Sequence, residues 1–466
     1  LNLIGSMYKN NGFGFTVKYI KTVRLHITRY ICGKPLYVNS DGVALVNGFP
    51  KKFLFLKRLA SGSWLEKKIL LTIMNTSKAL IAPKDFFKMK DSTIIAPQRS
   101  KYIIPDSFIE AFVKEYDISQ PKPRYTKEDY YLSKKSGPQG PSSPAVFQTT
   151  SCLEIHHWRA IREIMDEDKD LFSKFFLMCM FPVSALPGMN PLIKVGHTGK
   201  IAVLEAPEGK SRIIAMIDYY SQFVLKAIHE QLFSKLKNFV NDRTFTQSPW
   251  GLLLLGENSY HSLDLSAATD RLPITLQQRL LAEIYGDKAF AHYWRELLVN
   301  RDFYTPDGRP IRYSVGTPMG AYTSWAMLAY VHHLIVAWCW YSIYGVFPHK
   351  GSYIILGDDI VITNDAVAAR YRKVMNRLGV DISFAKTHVS KDTYEFAKRW
   401  IHKDKEITGF PLQGIIQNFN NPVIIWTIIT DYINKGNVYL YKGNKLDLLL
   451  ILYKNISWIH RGKTLR

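Results

Sequence analysis

Apolar positions along this chain recur with two periods, and the switches between them mark its elements. The run Ile213-Ile214-Ala215-Met216-Ile217 is short and largely β-branched, as a buried strand requires. Directly after it, residues 219–236 carry apolar positions at helical spacing and predict a helix. A second helical pattern covers residues 152–180, where apolar and charged residues alternate at the same spacing. Helices and short apolar strands then alternate to about Leu378, the signature of a mixed α/β or α+β core.

Residues 325–347 are apolar over a length that would cross a bilayer, which takes roughly 20 residues. His332 and His333 interrupt the stretch, Ser342 and Gly345 weaken its far end, and a glycine-rich segment leads into it. It is read as the buried helix of a large core, with no integral membrane span, and its histidines as polar residues of that core rather than metal ligands. Residues 1–115 alternate basic and apolar patches without a strong motif. Between Asp117 and Ser151, Pro121, Pro123, Pro138, Pro141 and Pro144 mix with Gly137, Gly140 and several serines, which predicts a long loop or linker. From Gly409 onward the chain is apolar and aromatic and carries no recognisable chemistry.

Charge changes the picture most. The 466 residues hold 61 Lys+Arg against 39 Asp+Glu, a net +22, which favours a polyanionic partner because each neutralised phosphate releases counterions. A membrane surface is the rival. The cations are spread along the chain (Lys51, Lys52, Lys67, Lys68, Lys134, Lys135, Lys235, Lys237, Arg370, Arg372), which suits a channel better than an anchoring tail. Four cysteines, Cys32, Cys152, Cys179 and Cys339, lie far apart with no C-x-x-C pair, so neither a disulfide framework nor a zinc site is indicated and an intracellular, reducing compartment is expected. The chain begins at Leu1 without a cleavable signal pattern, as a fragment or a translated open frame would.

The sharpest candidate chemistry is Gly357-Asp358-Asp359, flanked by the β-branched runs Tyr353-Ile354-Ile355-Leu356 and Ile360-Val361-Ile362. The pattern reads as strand, tight turn, strand, with adjacent carboxylates at the tip. Asp and Gly are also ordinary turn residues, so alone the triplet reads equally as a solvated turn. A second apolar strand, however, ends in a carboxylate at Asp264, and Asp270 follows on the next turn. Capping of the following helix by Asp264 or Ser266 explains one such acid but not the pair. Phosphoryl transfer to a ribose hydroxyl uses two divalent ions about 3.5–4 Å apart. Magnesium, with manganese as substitute, prefers such oxygen ligands. Asp264 and Asp358 are the candidate bridging ligands, with Asp359 auxiliary. Glycines 316 and 320 let a loop approach a nucleic-acid backbone, and Thr323 and Ser324 add hydroxyls. Lys210 and Arg212 fall on one face of a strand, placed to hold a triphosphate. Lys386 is the candidate general acid near a leaving pyrophosphate.

In this order the segments resemble the palm and fingers of viral RNA-dependent RNA polymerases, most closely those of mitoviruses and more distantly the levivirus replicases. Residues 264–273 look like that family's motif A, 318–329 like motif B, 357–359 like motif C, 385–400 like motifs D and E, 209–215 like motif F, and 136–141 like its upstream Gly-Pro loop. The resemblance implies an α+β right-hand fold of fingers, palm and thumb, with an antiparallel palm sheet carrying the metal-binding aspartates. It implies metal binding by Asp264, Asp358 and Asp359, and ribose 2′-hydroxyl recognition by Asp270 with Ser324. Triphosphate contacts fall to Lys210 and Arg212, further nucleotide or RNA contacts to Lys398 and Arg399, and proton donation to Lys386. It also implies template-directed RNA synthesis replicating a positive-strand viral RNA genome. Single-stranded RNA template, nascent RNA and nucleoside triphosphates are then the partners, with no obligate protein partner, and the host mitochondrion is the location. The expected division is 1–130 for an N-terminal extension and part of the fingers, 131–258 for fingers with the basic motif, 259–392 for the palm with finger insertions, and 393–466 for motif E and a partial thumb. The stretch after Asp359 is short for a thumb, so truncation is expected. A reverse transcriptase or maturase is disfavoured, since Gly357 precedes the aspartates and Asp270 sits where a ribose is read. An inactive RNA-binding remnant is disfavoured because drift has no reason to spare Lys210, Asp264, Asp358 and Asp359 together.

Overall fold

The computed structural model describes residues 2–80, 82–83, 86–99, 104–126, 135–141, 149–150, 152–165, 168, 170, 172–173 and 196–434. Contacts divide the chain into two compact units, one formed by Leu1–Phe87, Glu205–Lys210 and His388–Arg466, the other by Lys88–Leu204 and Ser211–Thr387. Ile94, Ile104, Phe108 and Phe112 share the large core of the second unit, whereas Val23, Ile27, Phe49 and Leu70 share a smaller core with Trp400 and Ile407.

The second unit is organised on an antiparallel sheet in which the strand Asp359–Ile362 pairs with Tyr353–Leu356 on one side and Tyr260–Asp264 on the other. The sequence explains why. Ile354, Ile355, Ile360, Val361 and Ile362 are all buried, and β-branched residues fit a pleated surface covered on both faces. One covering element is the helix Ser324–Tyr344, apolar all round as buried helices are. Of its most apolar window, 78% is inside the protein, which marks it as a core helix. The helix Asp365–Leu378 packs beside it, started by an Asn364 side chain that accepts from Val367 N.

A second sheet carries the strands Gly199–Ala206 and Lys210–Ile217 and continues through Phe303–Tyr304 and Pro310–Ile311. The helix Tyr219–Leu236 follows over the residues its pattern predicts, N-capped by Asp218. Asp218 is also the partner of Arg301, at 2.5 Å, with both side chains fully buried. Arg301 donates further to Thr198 O, Ser221 Oγ and Leu297 O, so the buried charge is fixed by hydrogen bonds on several sides.

Among the described residues the 152–180 pattern is interrupted rather than continuous, with helical geometry at Cys152, over Ile155–Ile164 and again at Asp170, Phe172 and Ser173. The Ile155–Ile164 helix has Glu154 as N-cap, with Met165 leaving helical geometry. Asp166, Glu167 and Asp168 follow in sequence, and negative charge is unfavourable at a helix C-terminus. Residues 174–180 lie outside the described residues. Of the 117–151 loop, Ser136–Gly137 and Gly140–Pro141 form a small hairpin, while 127–134 and 142–148 are not described.

The first unit contains the long helix Asn2–Ile31, kinked at Gly12, and the helix Trp64–Met74, which begins with a reciprocal Ser63–Glu66 capping box. It also holds the antiparallel strands Thr393–Phe396, Arg399–His402 and Lys405–Glu406. Glu208, at the tip of the Gly199–Ile217 hairpin, is held there by both Arg24 Nη2 contacts at 3.0 Å and by Ser77 Oγ at 2.9 Å.

Candidate active site

The register of the first sheet sets the carboxylates. Asp359 is the direct cross-strand partner of Asp264, so their side chains leave the same face. Asp358 occupies the turn, and its carbonyl accepts from Leu265 N at 3.4 Å. Gly357, the first turn residue, has φ 60°, as a tight hairpin turn of this kind asks of its glycine. A Cβ there would also meet Trp325 Cη2 at 2.4 Å, so the turn rests directly on the start of the core helix. Below the turn, Gly357 O lies 2.7 Å from His332 Nδ1, which must therefore carry its proton, and His332 Nε2 accepts from Tyr371 OH at 2.6 Å. Burial pushes His332 down to about 4, so the imidazole is neutral and this arrangement holds at physiological pH.

Asp264 is 7% exposed and is gripped twice by one short segment. Ser383 N donates to its carbonyl at 2.8 Å, and Lys386 Nζ lies 2.7 Å from Oδ1. Burial pushes Lys386 down, but its hydrogen bonds with Asp264 and the charges of Asp264, Asp358 and Asp359 outweigh this and raise its pKa. Burial is the largest single influence on it, and only the Asp264 hydrogen bonds and the three negative charges together overcome it. The lysine thus stands on the candidate metal ligand itself.

Asp270 is half-buried and accepts from Thr93 Oγ1 at 2.7 Å. Burial pushes its carboxyl above the usual range, partly offset by Thr93 and by Arg271. Gly316 is required beside it, since a Cβ would stand 2.1 Å from Thr269 O and 2.4 Å from the Asp270 carbonyl carbon. Thr317 N bonds Thr269 O at 2.9 Å, which ties the two loops together. Gly320, with φ 122°, lies against the Lys210–Ile217 strand, where Ala215 N donates to Met319 O at 2.7 Å. Thr323 Oγ1 accepts from Trp294 Nε1 at 2.8 Å and makes no capping bond to the helix it precedes, whereas Ser324 Oγ is buried without a hydrogen-bond partner among the described residues.

Lys210 and Arg212 are exposed at alternate positions of their strand, as expected. The unit boundary falls between Lys210 and Ser211, and Lys398 and Arg399 belong with Lys210. Lys398 sits in a left-handed turn with φ 63°. Arg399 is paired with Glu406, Nη2 to Oε2 at 2.6 Å and Nε to Oε1 at 3.1 Å, and both side chains are largely buried. Its guanidinium is thus held by the facing strand. Sequence reasoning gave Arg271 no role although it lies within the 264–273 motif, and missed Thr93 and Tyr371 altogether. A hydroxyl far from every motif carries no local signal, although His332, a polar pair-member in an apolar helix, did.

The donor set fits a hard divalent cation. It is made only of carboxylate oxygens, and an ammonium already compensates Asp264. Among the described residues no three His, Cys, Asp or Glu side chains form a group that could hold a metal ion by itself, so waters and substrate oxygens would have to complete the shell.

A family model described as mitovirus RNA-dependent RNA polymerase matches residues 123–463. The RNA-directed RNA polymerase of Cryphonectria parasitica mitovirus 1 is 36% identical over 285 residues, 55% of this chain and 34% of that protein. The chain thus spans about a third of that relative's length. An uncharacterized mitochondrial protein of Arabidopsis thaliana is 35% identical over 169 residues, 34% of this chain and 66% of that protein. In three dimensions the chain superposes on the RNA-dependent RNA polymerase of a human picorbirnavirus with TM-score 0.51 at 15% identity, covering 83% of this chain and 79% of that one. The shared feature there is the fold, that of a right-hand polymerase with an antiparallel palm sheet. Family model, sequence relative and fold agree, and the chain belongs to the mitovirus RNA-dependent RNA polymerase family.

Proposed function

We propose that this chain is the catalytic part of an enzyme that copies a positive-strand viral RNA genome from an RNA template by nucleotidyl transfer. The observation that carries the reading is the cross-strand register that pairs Asp264 with Asp359 at one end of a buried sheet, with Asp358 in the turn beside them. Asp264 and Asp358 would hold two divalent ions, with Asp359 as a further ligand. Magnesium there, or manganese in its place, supplies activation of the attacking 3′-hydroxyl and neutralisation of charge on the leaving pyrophosphate.

The remaining roles belong to the chain's own groups. Lys386 keeps its proton through neutral pH, as a donor to the leaving pyrophosphate requires. Exposed Lys210 and Arg212 offer a point charge and a planar fork to the triphosphate. Asp270 reads the ribose, with Ser324 Oγ free to join it. Gly316 and Gly320 keep the intervening loop close to the backbone of neighbouring segments. Single-stranded RNA and nucleoside triphosphates are the partners, in keeping with a net charge of +22, and no obligate protein partner is invoked. A mitovirus relative and a mitochondrial relative support a location in the host mitochondrion.

The test is incorporation of nucleotides on primed single-stranded RNA with four NTPs and Mg²⁺, beside Asp358→Asn. Template-dependent product from the wild type alone is expected, with RNA binding retained by the variant. Product from Asp358→Asn at the wild-type rate would refute the site.

A further inference from the structure

Thr93 lies far in sequence from every motif above, in the helical turn Ser92–Ile95. Residues 91–97 form a strap bound along its length to the segments that carry Asp270 and the Gly316 loop. Buried Arg271 donates from Nη1 to Ala96 O at 2.6 Å and to Thr93 O at 3.3 Å, and from Nη2 to Pro97 O at 2.9 Å. Ser314 donates twice to Ile94 O, from its backbone N at 3.1 Å and from Oγ at 2.9 Å. Arg309 pairs with Asp91 at 2.6 Å, and the Ile94 side chain is buried in the main core. The strap therefore fixes Thr93 relative to Asp270, into whose Oδ2 the threonine hydroxyl donates at 2.7 Å.

We infer that Thr93 is a specificity-determining positioning residue, whose hydroxyl holds the Asp270 carboxylate so that its other oxygen accepts the 2′-hydroxyl of an incoming ribonucleotide. The inference rests on the reading of Asp270 given above and deepens it. An ionised carboxylate has about four lone-pair sites, so one donor on Oδ2 leaves Oδ1 fully able to accept. Burial works against the charged form of Asp270, and the Thr93 hydrogen bond works for it. Without that donor the carboxyl both loses its fixed orientation and shifts toward a protonated form that accepts poorly. A site separates a hydroxyl-bearing substrate from one lacking it only when its acceptor is held ready and would otherwise be left unpaired. Threonine suits the task, because its β-branch restricts χ1.

Thr93→Val removes the hydroxyl at nearly constant volume, and Thr93→Ser restores it. With ATP and dATP competing on primed RNA, the ratio of their kcat/KM values should fall roughly tenfold in Thr93→Val, the scale of one hydrogen bond to a charged group. Thr93→Ser should recover the wild-type ratio. A merely structural role would slow both nucleotides alike and leave the ratio unmoved, which overturns the inference. A ratio above wild type, showing that Thr93 competes with the ribose, also overturns it. Asp270→Asn run alongside separates the failures. If it lowers the ratio while Thr93→Val does not, the role of Thr93 falls and that of Asp270 stands; if it too leaves the ratio unchanged, both fall. Should a variant not turn over, the ratio of ATP to dATP dissociation constants for the protein–RNA complex decides on the same terms.

Discussion

Gly357→Ala puts one methyl group where the turn, the core helix and the carboxylates meet. Two costs follow from the geometry. At φ 60° the new Cβ pays the left-handed penalty of an L-residue, roughly 1–2 kcal/mol. It would also stand 2.4 Å from Trp325 Cη2 and 2.8 Å from Cζ2, where carbon atoms prefer about 3.5–4.0 Å. Either the indole or the turn must give by about 1 Å, and a shift of that size at reacting groups costs on the order of a hundredfold in rate. Global stability should therefore drop by about 1–3 kcal/mol, while nucleotide incorporation drops far more than the folded fraction and RNA binding is retained. Gly308→Ala is the control, since Gly308 has φ 84° but no atom within 4 Å of its would-be Cβ. It carries the backbone penalty without the contact, and should lose stability yet keep its rate. Urea titrations and primed incorporation on both variants make the comparison. Equal loss of rate in the two glycine variants, or a normal rate in Gly357→Ala, would refute the argument from Trp325.

Arg301→Met leaves Asp218 buried without its charge partner and should cost about 3–5 kcal/mol in denaturant titration; a loss as small as an exposed pair's, under about 1 kcal/mol, would show that water reaches the site. Burial holds His157 down to about 2, His388 to about 3 and His332 to about 4, each below the ordinary value of about 6.5. The unfolded chain then binds more protons between those values, so stability is complete above pH ~6.5 and is lost as pH falls from there toward 4, each group contributing at most roughly 1.4 kcal/mol per unit. A melting temperature that does not change between pH 7.5 and pH 5 would contradict this.

Much of the fold is legible where local pattern and long-range packing agree. The helix Tyr219–Leu236 sits on its periodic stretch, and the two β-branched runs around Gly357-Asp358-Asp359 form the hairpin they predict, because burial on both faces rewards the residues that favour strands. Asp264 is legible as the end of an apolar strand, and its pairing with Asp359 follows once the strands align. What pattern cannot give is chemistry delivered from a distance. Thr93 reaches Asp270 across the chain through a strap held by Arg271 and Ser314, and nothing near Thr93 in sequence announces it. Arg399 looks like a free cation until Glu406 is seen across the strand pair. The helical pattern over 152–180 is legible, but the breaks within it, at the Glu154 cap and at Met165, are not.

The double grip on Asp264 imposes a rule on inheritance. Ser383 takes the aspartate's carbonyl and Lys386 its carboxylate, so the distance along the chain between those two groups is set by the width of a single residue on the facing strand. A substitution at Phe384, which is exposed, leaves that measure intact. An insertion or deletion of one residue between Ser383 and Lys386 does not, because either the amide or the ammonium would lose its mark. Among descendants of this sequence, the segment should therefore vary freely in composition at Phe384 while its length stays constant.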